Sequence, residues 1–104
     1  MVTRGDVCWC ELPIAGRRPV LVLTRSQAIP VLPLLLVAPL TRTIRGIPTE
    51  LQLGKEDGLP AECVASFDNL EQAPRALLSE PIASLSGPRM HEVCKALAIA
   101  TGCD

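Results

Sequence analysis

Short apolar runs separated by glycine, proline and polar residues fill most of this chain, and the first two runs have the length of β-strands. They cover residues 7–12 and 19–24. Pro13 and Gly16 lie between them, and these residue types favour a tight connection. The pattern therefore predicts two paired antiparallel strands joined by a short loop.

The next apolar run covers residues 34–40 and is continuous rather than alternating. A continuous run of this length is typical of a strand that is buried on both faces. We therefore expect a central strand here. Residues 26–29, which precede Pro30, are predicted to form one helical turn.

Residues 48–53 alternate, with Thr49, Leu51 and Leu53 on one face, which predicts a half-buried antiparallel strand. A polar loop over 54–58 follows, and 63–67 has the composition of a further strand. The stretch 71–84 contains two prolines and is predicted to be a short strand or an irregular segment.

The C-terminal segment has the features of an amphipathic helix. Ser86 is placed as its N-cap, Pro88 is tolerated in a first turn, and Leu85 and Met90 have the spacing of a hydrophobic staple. Gly102 is suited to end the helix. One face is predicted to carry Met90, Val93, Cys94, Leu97 and Thr101.

Many short strands closed by one helix predict a mainly β fold with α, a small antiparallel β-barrel carrying a C-terminal helix, in a single domain over residues 1–104. The longest apolar run, residues 31–40, is too short to span a bilayer, and the N-terminus lacks the apolar core of a signal peptide. We therefore expect a soluble, cytoplasmic protein that does not enter a membrane.

Five cysteines without a Cys-x-x-Cys pair are typical of reduced thiols rather than of disulfides or a zinc site. Cys8 and Cys10 share one face of the first strand. We interpret them as buried, weakly polar core residues, with a role as metal ligands as the alternative.

The net charge of −1 conceals an uneven distribution along the chain. Residues 1–45 carry an excess of cations, whereas residues 46–104 carry an excess of carboxylates. Either the arginines gather near the strand ends, where they would attract an anionic partner such as RNA, or the folded chain mixes the two halves.

The sequence also restricts how such a protein could cleave a phosphodiester. No cluster of Asp, Glu or His has metal-ligand spacing, so no metal or cofactor is expected, and the single histidine, His91, falls on the predicted helix surface. RNA supplies its own nucleophile, the 2′-hydroxyl, so an arginine and a hydroxyl could be sufficient for charge stabilisation and orientation. Arg18 and Thr41 are the candidates for these roles, with an ion pair and a strand-end cap as their structural alternatives.

Six segments in order resemble the MazF/PemK/Kid family of toxin endoribonucleases along nearly the full length of the chain. They are Arg4-Gly5-Asp6-Val7-x-Trp9, Gly16-Arg17-Arg18-Pro19-Val20-Leu21-Val22, Val37-Ala38-Pro39-Leu40-Thr41, Ile47-Pro48-Thr49-Glu50, Phe67-Asp68-Asn69-Leu70 and Leu85-Ser86-x-x-Arg89-Met90.

This resemblance implies an SH3-like barrel that forms a homodimer and binds single-stranded RNA, either messenger, ribosomal or transfer RNA. It implies sequence-selective, metal-independent cleavage to 2′,3′-cyclic phosphate and 5′-hydroxyl ends by Arg18 and Thr41, which would inhibit translation and growth. RNA contacts are expected from Arg17, Arg42, Thr43 and Arg45. The implied protein partner is an antitoxin whose acidic and apolar tail occupies the RNA groove.

Three features depart from the family pattern. The loop over 13–17 is shorter than in many relatives, and Cys8 and Cys10 replace larger residues. Trp9 and Phe67 are the only aromatic residues available for base stacking.

The sequence is compatible with two other functions. One is a protein-binding toxin like the gyrase poison CcdB, although the C-terminus 101–104 lacks the tryptophan that such an activity needs. The other is an inactive relative that only binds the antitoxin. The general base is also open, with Glu11, Glu50 and Asp68 as carboxylates that could assist.

Overall fold

The computed structural model describes residues 1–14 and 16–103, which form seven strands and one α-helix. In chain order these are β1 Asp6–Leu12, β2 Gly16–Val22, β3 Leu34–Thr41, β4 Glu50–Leu53, β5 Cys63–Ser66, β6 Glu71–Pro74, β7 Leu78–Ser84 and α1 Gly87–Thr101. The strands form one curled antiparallel sheet in the order β4-β5-β3-β2-β1-β7, with β6 also paired to β3. The predicted mainly β architecture with a C-terminal helix is confirmed as a half-barrel.

Strand β2 supplies both of the cores of the protein because its successive side chains point to opposite faces of the sheet. Leu21 belongs to the core beneath α1, whereas Val20 and Val22 belong to the core on the other face. The helix-side core consists of Val7, Leu21, Leu23, Ala38, Leu40, Leu51, Leu53, Leu59, Ala65, Phe67, Val93 and Ala96. The loop-side core consists of Val2, Cys8, Cys10, Val20, Val22, Ile29, Leu35, Val37 and Ala73.

The first two predicted strands pair as expected. Strand β1 confirms the run at 7–12, and β2 begins at Gly16, three residues before the predicted start, because Leu12 pairs directly with Gly16. The short loop predicted between them includes residue 15, which lies outside the described residues.

Strand β3 is central, as predicted, but the prediction that it is buried on both faces is wrong at its N-terminal end. Leu35 and Val37 are fully buried, whereas Leu34 and Leu36 are 43% and 39% exposed. The exposed pair shares the face of Ala38 and therefore points to the helix side. Helix α1 packs against β4 and the turn after β5, so it does not cover this end of β3.

The second half of the chain follows the prediction in part. The alternating strand is confirmed as β4, and the strand predicted over 63–67 ends at Ser66 because Phe67 begins a 3₁₀ turn. The uncertain stretch 71–84 contains two strands, β6 and β7. Residues 26–29 form hydrogen-bonded turns instead of a helix, with Ala28 N–H donating to the Arg25 carbonyl at 3.0 Å.

The predicted caps of α1 are present. Ser86 Oγ accepts a hydrogen bond from Arg89 N–H at 3.3 Å, and Gly102 ends the helix with a φ of 74°, which glycine adopts without strain. The predicted apolar face is wrong at Cys94 and Thr101, which are exposed. The positions buried against the sheet are Val93 and Ala96.

Arg89 joins α1 to the segment that follows β4. Its Nε and Nη2 donate to the two carboxylate oxygens of Asp57 at 2.9 and 3.2 Å, Nη2 also donates to the Gln52 carbonyl, and Nη1 donates to Glu92 at 3.0 Å. The hydrogen bond to Asp57 raises the pKa of Arg89. The side chain of Asp57 is only 4% exposed, so its charge depends on this partner.

Replacing Arg89 with Met is expected to lower the free energy of unfolding by about 2 kcal/mol, since it leaves the buried Asp57 carboxylate without its cation. Glu92→Gln is the matched control and should cost less than about 0.5 kcal/mol, because that partner is a half-exposed neighbour on the same helix. Urea unfolding of both variants measures the difference. Equal losses in the two variants would contradict this account of Arg89.

Candidate active site

The sheet brings Arg18 and Thr41 to the same end of β2 and β3. The last registered pair of these strands is Val20 with Pro39. Continued by two residues, this register would set Arg18 opposite Thr41 with both side chains on one face. The registered pairs end at Val20 and Pro39, and Pro19, the next residue of β2, lacks the N–H group that a further ladder bond would need.

Arg18 is held by a carboxylate that the sequence did not single out. Its Nη2 donates to Oε1 of Glu71, and the two side chains are 41% and 31% exposed. Glu71 begins β6 and pairs with Val37 of β3. Its side chain therefore lies on the same face of the sheet as those of Val37 and Arg18. Because β6 was not predicted as a separate strand, sequence reasoning had no register with which to find this contact.

Thr41 ends β3 and is half-buried. Its Oγ1 accepts a hydrogen bond from the backbone N–H of Thr43 at 3.2 Å. The hydroxyl therefore has a fixed position, and its own hydrogen is available for donation to a ligand.

The other predicted RNA contacts surround this strand end in different environments. The guanidinium of Arg17 lies 4.4 Å from the ring centroid of Trp9 and 3.7 Å from the Glu11 carboxylate. The backbone N–H of Arg45 donates to Glu50 at 3.0 Å, and its guanidinium lies 3.9 Å from the same carboxylate. Arg42 is exposed and forms no ion pair among the described residues.

The charge separation along the chain does not persist in the fold. Three of the four candidate arginines are paired with carboxylates, and two of those, Glu50 and Glu71, come from the acidic half. The folded chain thus mixes its two halves at this surface. An anionic ligand must compete with carboxylates that already face the arginines.

A mostly apolar groove of about 440 Å³ opens beside the strand end. It is lined by Trp9, Pro19, Leu40, Thr41, Arg42, Leu59, Pro60, Ala61, Glu62, Cys63 and Ile82. Arg18 is not among these lining residues, whereas Thr41, at the end of β3, is. Thr41 is therefore the one of the two candidate residues that belongs to the groove wall.

The aromatic residues have unequal access to a ligand. Phe67 is 2% exposed in the helix-side core, whereas Trp9 lies on the groove wall beneath Arg17. Of the two, only Trp9 is placed to stack on a base, and the stacked Arg17 offers a second planar surface.

The carboxylates considered as helpers for proton transfer do not contact Arg18. Glu11 and Glu50 face Arg17 and Arg45, and Asp68 accepts a hydrogen bond from Thr49 Oγ1 at 2.5 Å. His91 is exposed on α1, as predicted. The arrangement offers an arginine, a hydroxyl and one adjacent carboxylate, which can bind a phosphate and stabilise charge that develops on it.

Comparison with known proteins gives a consistent family. The family model described as PemK-like, MazF-like toxin of type II toxin-antitoxin systems matches residues 3–101. Among curated proteins, the probable endoribonuclease MazF5 of Mycobacterium tuberculosis is 43% identical over 101 residues, covering 96% of this chain and 93% of that protein. The probable endoribonuclease MazF2 of the same species is 42% identical, covering 96% and 98%.

Solved structures agree with the sequence relatives. The M. tuberculosis toxin MazF-mt6 superposes with a TM-score of 0.86 at 32% identity, covering 95% of this chain and 98% of that one. A mycobacterial endoribonuclease in complex with its cognate antitoxin gives a TM-score of 0.86 at 27% identity, covering 100% and 98%.

The groove and cores also determine which thiols can react. Burial raises the pKa of Cys8 to about 11, with Asp6 and Glu80 adding to the effect. Burial likewise raises the pKa of Cys10, opposed by Arg18 and reinforced by Glu71. Burial and Asp57 raise the pKa of the half-buried Cys63 in the groove wall, against the effect of Arg42. Cys94 and Cys103 are exposed.

Iodoacetamide at about pH 8 is therefore expected to label Cys94 and Cys103 first, Cys63 more slowly, and Cys8 and Cys10 only after unfolding. A raised pKa leaves less thiolate at a given pH, so the Cys63 rate should increase as the pH rises towards its folded-state pKa. Peptide mass spectrometry of timed samples measures each rate. Labelling of Cys8 in the folded protein as fast as that of Cys94 would contradict the described packing.

Proposed function

Because this chain belongs to the PemK-like, MazF-like toxins of type II toxin-antitoxin systems, we propose that it cleaves single-stranded RNA at the strand end that carries Arg18 and Thr41. The chain is a MazF-type endoribonuclease toxin. The observation that supports the location is the register of β2 and β3, whose last pair is Val20 with Pro39, because Arg18 and Thr41 each lie two residues beyond that pair.

In the proposed reaction, the substrate 2′-hydroxyl loses its proton to solvent and its oxygen bonds to the adjacent phosphorus, while the bond from phosphorus to the 5′-oxygen breaks and that oxygen takes up a proton from solvent. The products are a 2′,3′-cyclic phosphate and a 5′-hydroxyl. Arg18 neutralises the non-bridging oxygens as charge accumulates on them, and the Thr41 hydroxyl donates a hydrogen bond to the same phosphate. Neither role needs a metal ion, and within residues 1–14 and 16–103 no group of three or more His, Cys, Asp or Glu residues is placed to hold one.

The groove supplies the second half of substrate recognition in this proposal. A base next to the scissile phosphate would lie against Trp9, whose ring is already stacked with Arg17. Arg42, Thr43 and Arg45 follow Thr41 along the chain and would contact flanking phosphates.

The protein partner is an antitoxin, as in the mycobacterial complex with the same fold. We propose that its acidic and apolar segment occupies this groove, where apolar walls adjoin arginines. We also propose a homodimer of the single domain 1–104 that acts in the cytoplasm. Within the described residues, no helix is long and apolar enough to cross a membrane.

The gyrase-poison alternative has no support from the described residues. Trp9 is the only tryptophan and lies on the groove wall rather than at the end of α1. Of the C-terminal residues 101–104, the last lies outside the described residues. An inactive relative that binds only the antitoxin is the remaining alternative, and the cleavage test separates it from the proposal.

In EDTA, the purified protein is expected to cut a long single-stranded RNA at a recurring sequence and leave cyclic-phosphate ends. Arg18→Ala should slow cleavage about a hundredfold or more, since it removes the charge that stabilises the phosphorane. Thr41→Val should slow it roughly ten- to a hundredfold, the effect of losing one hydrogen bond to a charged group. Fragment-end mapping and rate measurement give both results.

Arg25→Ala is the matched control, because Arg25 is an exposed arginine outside this strand end, and it should cleave at the wild-type rate. Full activity in Arg18→Ala would contradict the proposed site. Intact RNA from the folded wild-type protein would favour the antitoxin-binding alternative.

Binding of a 2′-deoxy strand should weaken as salt increases, with a linear slope of log affinity against log salt concentration. Arg42→Gln is expected to make this slope shallower by about 0.7, which corresponds to one lost phosphate contact on a single strand. Arg45→Gln should reduce it less, because Arg45 must leave Glu50 before it can bind a phosphate. Titrations at several salt concentrations measure the slopes, with Arg25→Gln as the unchanged control. A larger effect at Arg45 than at Arg42 would count against this assignment.

A further inference from the structure

Glu71 contacts the nitrogen of Arg18 that any bidentate phosphate complex would need. The Glu71 carboxylate accepts from Nη2. The neighbouring Nε has essentially no accessible surface and no hydrogen-bond partner among the described residues. The rest of the side chain remains reachable, with 41% of its surface exposed.

A phosphate can form two parallel hydrogen bonds with an arginine in two ways. It can use Nε with Nη2 or Nη1 with Nη2, because only these edges of the planar guanidinium present two N–H groups side by side. Burial of Nε closes the first edge of Arg18. The second edge includes Nη2, so a phosphate must either share this atom with Glu71 or displace the carboxylate.

Sharing is unfavourable because the two anions would lie within a few ångströms of each other at a site that is partly removed from water. Displacement is possible because Glu71 is itself 31% exposed and makes a single hydrogen bond to Arg18. The free protein and the phosphate complex should therefore differ in whether Glu71 contacts Arg18.

We propose that Glu71 is an autoinhibitory competitor for the phosphate site of Arg18, paired with the arginine in the free protein and displaced when an RNA phosphate binds. This inference rests on the proposed function in taking RNA as the ligand. Because a phosphate gains little when it must first displace Glu71, contacts to phosphates alone would bind RNA weakly. The affinity would therefore depend more on bases that fill the groove beside Trp9 than on the phosphate contacts.

Glu71 differs from the other carboxylates at this surface. Strand pairing with β3 holds its backbone in place opposite Val37. In contrast, Glu11 is 67% exposed and lies 3.7 Å from Arg17, so its pair is open to solvent and weak. Glu80→Gln gives the same change in net charge without releasing Arg17 or Arg18, because Glu80 is exposed and forms no ion pair among the described residues, and it is the matched control.

The test measures the binding of a single-stranded DNA oligonucleotide, which lacks the attacking 2′-hydroxyl, by fluorescence anisotropy at low salt. Glu71→Gln keeps the size of the side chain and should bind roughly fivefold more tightly, the factor for a partly exposed ion pair worth about 1 kcal/mol. Glu80→Gln should change the affinity less than about twofold. In an Arg18→Gln background, the effect of Glu71→Gln should fall to that of the control.

Unchanged or weaker binding by Glu71→Gln would overturn the proposal and make Glu71 a residue that positions Arg18. An equal gain in the Arg18→Gln background would also overturn it, because the effect would then be one of general charge. The folded state of each variant is checked by its thermal midpoint.

A second measurement separates this inference from the proposed function. Inorganic phosphate is titrated while the side-chain N–H signals of Arg18 are followed by NMR, and Glu71→Gln should respond at lower phosphate concentration than the wild type. That result supports the competition even if the wild-type protein cuts no RNA. Identical titrations would overturn it even if the wild type is an active ribonuclease.

Discussion

The burial of β2 on both faces is the constraint on which the rest of the structure depends. Leu21 fills the helix-side core while Val20 and Val22 fill the loop-side core, so a slip of one residue would exchange the two sets. The register with β3 is fixed by this double burial. Arg18 lies two residues before the buried segment and Thr41 lies two residues after Pro39, so the packing of apolar side chains brings both to the same end of the two strands.

The sequence was sufficient to predict the parts of the fold that local patterns control. Proline, glycine and serine at 88, 102 and 86 predicted the ends of α1, and the alternation at 48–53 predicted β4. The exposure of Leu34 and Leu36 could not be predicted, because it depends on where α1 packs. The errors at Cys94 and Thr101 have the same cause, since the helix face that is buried depends on its crossing of the sheet.

Only part of the candidate site could likewise be predicted from local patterns. The placement of Arg18 and Thr41 near strand ends follows from local patterns and their proposed roles from the family resemblance, whereas their neighbours follow from tertiary pairing. Glu71 reaches Arg18 only because β6 pairs with β3, and the groove exists only because residues 59–63 return beside Trp9. Residues close in space but distant in the chain leave no local signal, which is why an ion pair could be named as an alternative for Arg18 but its partner Glu71 could not.

That ion-paired state changes how the proposed site would recognise RNA. A free cluster of arginines would bind any polyanion, and its affinity would depend mainly on salt. Here Arg17, Arg18 and Arg45 each face a carboxylate, so the electrostatic gain from a phosphate is reduced by the loss of an existing pair. The groove is mostly apolar and is not subject to that cost. Discrimination between RNA sequences should therefore come from bases in the groove. The phosphate site would be filled only when those bases position the strand correctly.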